Sequence, residues 1–119
     1  MPHLTLEYSS NIIEKDKLLS FFSECHAILA TSLPANLASC KSRALCSDIF
    51  YIADGDSKHA FIHLDIKVMA GRSDETLQST AHQLMELLNI YFEESMKKFQ
   101  LQISIEISEL GEFFLKSTR

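Results

Sequence analysis

Proline at position 2 carries chemistry that depends on what precedes it. Inside a chain its nitrogen is a tertiary amide without basicity; once Met1 is cut away it becomes a secondary amine. An ordinary α-amino group has a pKa of about 7.7 to 8.0, and nearby positive charge or loss of solvent lowers it toward neutrality. An amine so placed is a general base. Proline after Met1 also occurs simply because it permits methionine removal, so the residue gains meaning only from its surroundings.

Other reactive side chains have ordinary alternatives. His59 and His63, with Asp65, share residue types with a metal site. However, residues four apart on a strand are separated by roughly 13 Å, and zinc prefers three or four close ligands of fixed geometry; no metal is expected. Glu7 and Glu106 fall on the polar faces of two strands and could pair, yet no sugar-binding aromatic surface accompanies them. His3 is expected to orient the amino-terminal strand, with a lesser role in touching a ligand. Cys25, Cys40 and Cys46 are an odd set without CxxC spacing, the pattern of free thiols in a reducing compartment, and packing is their default role.

The elements that must position these groups follow from periodicity. Leu4, Leu6 and Tyr8 alternate with His3, Thr5 and Glu7, predicting a strand with one buried face. Ser9, Ser10 and Asn11 end it and offer N-cap side chains. Leu18, Leu19, Phe22, Cys25 and Leu29 recur at helical spacing, predicting an amphipathic helix from Ile12 to about Thr31, with Glu14 on its outer side. After Pro34, a second strand is expected from Lys41 to about Ala53, and Asp54-Gly55-Asp56 reads as a hairpin turn into a third strand over 58–69. Ala60, Ile62, Leu64, Ile66 and Val68 give that strand an unbroken apolar face. Ser73 is a candidate N-cap for a second helix reaching about Met96, and Phe99 to Ser108 alternate as a last strand before Gly111.

The order is βαβ followed by βαβ, a layout suggestive of internal duplication. It predicts an α+β fold: one mixed sheet with both helices on one face, in a single domain of 119 residues. The uncovered face, and the apolar tail at about 110–119, are expected to meet neighbouring subunits. A net charge of −5 argues against a nucleic-acid surface but not against a small anionic ligand, which needs only two or three local cations. No apolar run approaches the roughly 20 residues of a membrane span. The amino end has no signal-peptide pattern, so a cytoplasmic protein is expected.

Met1-Pro2-His3 leading into Glu7-Tyr8-Ser9 and Asn11, then Lys41-Ser42-Arg43, Ala53-Asp54-Gly55, Ala60-Phe61-Ile62-His63, Ala70-Gly71-Arg72-Ser73 and Glu106-Ile107, together resemble the 5-carboxymethyl-2-hydroxymuconate Δ-isomerase family of the tautomerase superfamily. The likeness runs from residue 1 to about 110. The segment Gly71–Glu75 is also similar to the first strand-to-helix turn of short 4-oxalocrotonate tautomerase chains. This resemblance implies a tautomerase fold assembled as a homotrimer. It also implies isomerisation of an unsaturated 2-hydroxy di- or tricarboxylic acid in aromatic-compound catabolism, without cofactor or metal. Pro2 matches the family's catalytic terminal proline, and Arg72 an arginine that binds or polarises the substrate. Lys41-Ser42-Arg43 stands where the family usually has Arg-Ser-Arg; lysine keeps the charge but loses the two-pronged grip on a carboxylate.

On chemical grounds, moving a proton across a dienol requires a near-neutral base and cations where charge develops on oxygen. Pro2 with Arg72 and Lys41 or Arg43 meets both needs. The alternative reading, motivated by Lys41, is a non-catalytic trimeric binding or assembly module on the same scaffold.

Overall fold

A computed structural model describes residues 1–119. Four strands, β1 (His3–Ser9), β2 (Lys41–Ser47), β3 (His59–Val68) and β4 (Gln100–Glu109), form one sheet in the order β2-β1-β3-β4. β1 and β2 run parallel around helix α1 (Leu18–Ser32), and β3 and β4 run parallel around helix α2 (Asp74–Tyr91), which is followed by the short α3 (Glu93–Lys98). The central strands β1 and β3 are antiparallel, with Leu6 opposite Leu64. The two βαβ units are thus joined at the middle of a mixed sheet.

One face of the sheet is sealed by the helices. Leu4 and Leu6 of β1 and Ala60, Ile62, Leu64, Ile66 and Val68 of β3 are fully buried against Phe21, Cys25, Leu29, Leu84 and Leu88. Each such large side chain contributes about 1.5–3 kcal/mol relative to exposure. Phe21 anchors the helix layer, meeting Tyr91 and Phe92 edge-on at centroid distances of 5.4 and 5.7 Å. The opposite face carries cross-strand rows such as Arg43-Thr5-Asp65-Glu106 and Leu45-Glu7-His63-Ser104. It is mainly polar.

Several boundaries depart from the periodic reading. The first helix begins at Leu18, not Ile12, after a short 3-10 turn at Lys15–Lys17. Tertiary contacts claim the intervening residues. Ile12 is buried, and Glu14, expected outside, is 2% exposed, with its carboxylate accepting from the Ser95 backbone N–H (3.0 Å) and hydroxyl (2.5 Å). Ser9 and Asn11 do not cap that helix: Ser9 Oγ accepts from Phe61 N–H, and Asn11 Nδ2 donates to His59 O. On α1, Leu19 is 84% exposed, while Phe21 takes the inward position. The second helical stretch breaks at Phe92, between α2 and α3.

The second strand ends at Ser47, and the turn at 54–56 does not join a hairpin, because β2 and β3 lie on opposite sides of β1. Ile49 to Ile52 have strand-like composition but no strand to pair with, since this segment must cross the end of β1. The turn itself forms. Gly55 has φ +81°, and a Cβ there would lie 2.6 Å from the Tyr51 ring, so side chains are excluded twice over. Asp54 then accepts from His59 Nε2 at 2.9 Å, closing the crossover.

Candidate functional site

The start of β1 lies at the end of the sheet where β2 begins and β3 and β4 finish, so four chain segments converge there. Pro2 is buried, and its carbonyl accepts from Lys41 N–H at 3.1 Å, the first rung of the parallel ladder. With Met1 in place its nitrogen is an amide. His3 stands opposite Lys41 on one side and Lys67 on the other. Arg43 lies one side-chain position further along β2, and its guanidinium reaches back to His3 Nδ1 (3.0 Å) and Thr5 Oγ1 (3.4 Å). A guanidinium only donates, so His3 Nδ1 is the acceptor and a neutral ring carries its proton on Nε2. Burial, then Arg43 and Lys41, push the His3 pKa below its ordinary value, in keeping with that state.

Arg72 comes from the turn between β3 and α2. Gly71 there has φ +118°, and Ser73 accepts from Thr76 N–H to cap α2, which fixes where the strand stops and the helix starts. Arg72 Nη1 donates to Met69 O at 2.9 Å. Glu109, the nearby acid, accepts instead from Gly71 N–H, at 3.2 Å. The Met1 amine, next to Pro2, is lowered from its usual value first by burial and then by the positive charge of Arg72, with Lys116 and Lys41 adding to it and Cys40 opposing.

Beside this terminus is a cavity of about 710 Å³ whose walls include Met1, His3, Lys41 and, from the tail, Phe114, Lys116 and Arg119. Of the sequence-derived candidates, His3 and Lys41 line it directly, and Met1 stands in front of Pro2 there. Arg43 contacts the site through His3, and Arg72 acts on the amine through its charge rather than as a wall. No aspartate or glutamate side chain belongs to the lining. The arrangement can hold an anion and, with a free amine at its edge, move a proton.

Lys116 and Arg119 are not among the sequence-derived candidates, because the tail reads from its sequence as apolar surface. Ser42, between the two basic residues, turns to the helical side and pairs its Oγ with His26 Nε2 at 2.7 Å, tying α1 to β2. Glu7 and Glu106 are not neighbours, since β3 separates their strands; Glu106 stands beside Asp65 and Glu7 beside His63. His59 and His63 also part company. His59 is buried at the crossover, whereas His63 groups with Asp65 and Glu106 on the open face, with ligand-type atoms within 4.8 Å of one another. The Cys25 thiol is pushed up to about 12 by burial and is suited to packing, not chemistry.

Comparison with known proteins gives one consistent answer. A protein from Escherichia coli, 5-carboxymethyl-2-hydroxymuconate Delta-isomerase, is 36% identical over 110 residues, covering 92% of this chain and 87% of that one. The crystal structure of a 5-carboxymethyl-2-hydroxymuconate isomerase from Deinococcus radiodurans R1 superposes with a TM-score of 0.91 at 30% identity, covering 99% of this chain and 90% of the other. A fused 4-OT, a symmetric trimer, shares the fold at a TM-score of 0.66 and 14% identity, over 90% of this chain and 85% of that one. The family profile for 5-carboxymethyl-2-hydroxymuconate isomerase matches residues 2–117, and the chain belongs to that family of tautomerase-superfamily enzymes.

Proposed function

We propose that this chain is a cofactor-independent isomerase acting on an unsaturated 2-hydroxy di- or tricarboxylic acid of the 5-carboxymethyl-2-hydroxymuconate type, with the amine of Pro2, freed by loss of Met1, as its general base. The observation that carries this reading is the placement of the chain terminus. It lies on the wall of an anion-suited cavity, where burial, Arg72, Lys116 and Lys41 all lower the basicity of an amine.

In the proposed reaction the neutral amine takes the proton of the enol hydroxyl. The oxygen's electron pair becomes the carbonyl π bond, and the conjugated electrons move to a carbon further along the chain. The resulting ammonium returns the proton to that carbon, so the amine is regenerated and nothing is oxidised or reduced. Arg72 stabilises the negative charge that passes through the oxygen. Lys41, Arg43 and neutral His3 hold and orient the carboxylates, with Arg43 acting beside His3.

The family and the trimeric 4-OT relative support a homotrimer, and the largely uncovered Phe113 and Leu115 supply apolar surface that a neighbouring subunit covers from the outer side of the tail. No helix is long and apolar enough to cross a membrane, and the proposed setting is cytoplasmic catabolism of aromatic compounds. The test is a turnover assay, followed by ultraviolet absorbance, on chains of known terminal mass. The Met1-free chain is expected to isomerise a 2-hydroxydienedioate at least about 100-fold faster than the chain retaining Met1. Equal rates would overturn the proline mechanism, and no turnover by a Met1-free chain of any enol acid would favour the non-catalytic module.

A further inference from the structure

We propose that the segment Phe114–Arg119 is a strap belonging to the ligand site of its own chain, and that Lys116 provides, across from Lys41, the cation that holds the second carboxylate of a dicarboxylate or tricarboxylate ligand. This rests on the reading of the cavity as the substrate site and adds to it a residue and a reason for substrate class.

The path of the chain is the first observation. β4 is one edge of the sheet and β2 the other, yet Lys116, seven residues beyond the end of β4, reaches Ser39, two residues before the start of β2. Leu110 N–H still bonds Val68 O at 2.7 Å, and Phe114 N–H bonds Gly111 O at 3.1 Å, which turns the tail back. It then passes the end of the sheet, a width of roughly 14 Å for four strands, over Met1 and His3. Burial does not account for this course, because Phe113 and Leu115 are 90% and 92% exposed. The polar contact is at the cavity.

The second observation is what Lys116 meets there. Its Nζ donates to Ser39 Oγ at 3.4 Å, while Lys41 Nζ donates to Ser39 O at 2.9 Å. Two ammonium groups therefore converge on a single residue, with Arg119 on the same wall, and no carboxylate side chain neutralises either one. The side-chain ion pairs, His59 with Asp54 and Lys97 with Glu93, lie elsewhere. Like charges held together repel, and a ligand with more than one carboxylate relieves that repulsion. Lysine is a point charge on a flexible stem, suited to a carboxylate whose position varies among ligands. The Lys116 charge also bears on the Met1 amine beside Pro2, lowering its basicity.

The test uses the full Met1-free chain, Lys116→Met and Lys116→Arg, with calorimetry of adipate binding and kinetics on 2-hydroxymuconate against the monocarboxylate phenylenolpyruvate. Lys116→Met is expected to weaken adipate about tenfold and to lower the preference for the dicarboxylate substrate about tenfold, through KM rather than kcat. Lys116→Arg restores both, and the pKa of the acid limb in the kcat/KM profile, where the Pro2 amine takes up its proton, rises in Lys116→Met. Adipate affinity unchanged in Lys116→Met overturns the strap, even if the chain is an active isomerase. A tenfold loss of adipate affinity in a chain that isomerises neither substrate keeps the anion site and overturns the isomerase reading instead.

Discussion

The two ends of β1 treat polar groups in opposite ways. At its far end, where the chain crosses from β2 to β3, polar side chains have partners supplied by the fold, the buried Glu14 with Ser95, the buried His59 with the exposed Asp54, the buried Ser9 with Phe61, and the half-buried Asn11 with His59 O. Asn11 Oδ1 and His59 Nδ1 are the buried side-chain atoms left without one. At its beginning, Lys41, Arg43, Arg72 and Lys116 donate to carbonyls, hydroxyls and an imidazole, but to no carboxylate. In a chain with 16 acidic residues against 11 basic ones, that is not a shortage of anions. The carboxylates of Glu14 and Asp54 are matched with donors at the far end, and the cations at the beginning are left without a carboxylate, the arrangement that the proposed anion site requires.

Substitutions at the two ends should therefore separate stability from turnover. The largest separation is expected from the terminus itself: retention of Met1 lowers kcat/KM by at least about 100-fold, while urea unfolding stays within about 0.5 kcal/mol of the processed chain. Glu14→Ala should do the reverse. It leaves the buried Ser95 N–H and hydroxyl without acceptors and costs about 3 kcal/mol in urea unfolding, with kcat/KM of the folded fraction unchanged. Loss of activity beyond the loss of folded protein would blur the division between the ends.

Arg72→Ala is expected to lower turnover of a 2-hydroxydienoate by at least about tenfold, with stability changed by less than about 0.5 kcal/mol. Unchanged kinetics would remove Arg72 from the site. The smallest effect concerns Asp54. Hydrogen bonds from Asp56 N–H and His59 hold its carboxyl below the ordinary value of 3.8. A lowered carboxyl favours the folded state where it is ionised, so its contribution is complete above the ordinary value and is lost as pH falls below it and through the lowered one. Asp54→Asn keeps an acceptor oxygen for His59 but does not titrate, and should flatten the acid limb of stability against pH without altering turnover near neutrality.

Much of the fold was legible because it depends on local alternation. The buried face of β3, from Ala60 to Val68, and the cap of α2 at Ser73 follow from side-chain period and capping chemistry within a few residues. Glu14 was misread for the opposite reason. Its position in the helical period points outward, and only Ser95, 81 residues away, makes a buried site for it. The same holds for the crossover, where Ile49 to Ile52 look like strand but lie beyond the reach of any pairing partner.

By itself, the sequence determined the two βαβ units, the apolar faces that join them, and a proline that loss of Met1 turns into a base. Tertiary structure decided which strands became neighbours, that Lys116 and Arg119 joined Lys41 at the terminus, and that Arg43 came to lie on His3. The physical reason is range. Periodicity and capping act within a turn or a strand, whereas the field at an amine is a sum over charges brought from distant parts of the chain, and no spacing along the sequence records that sum.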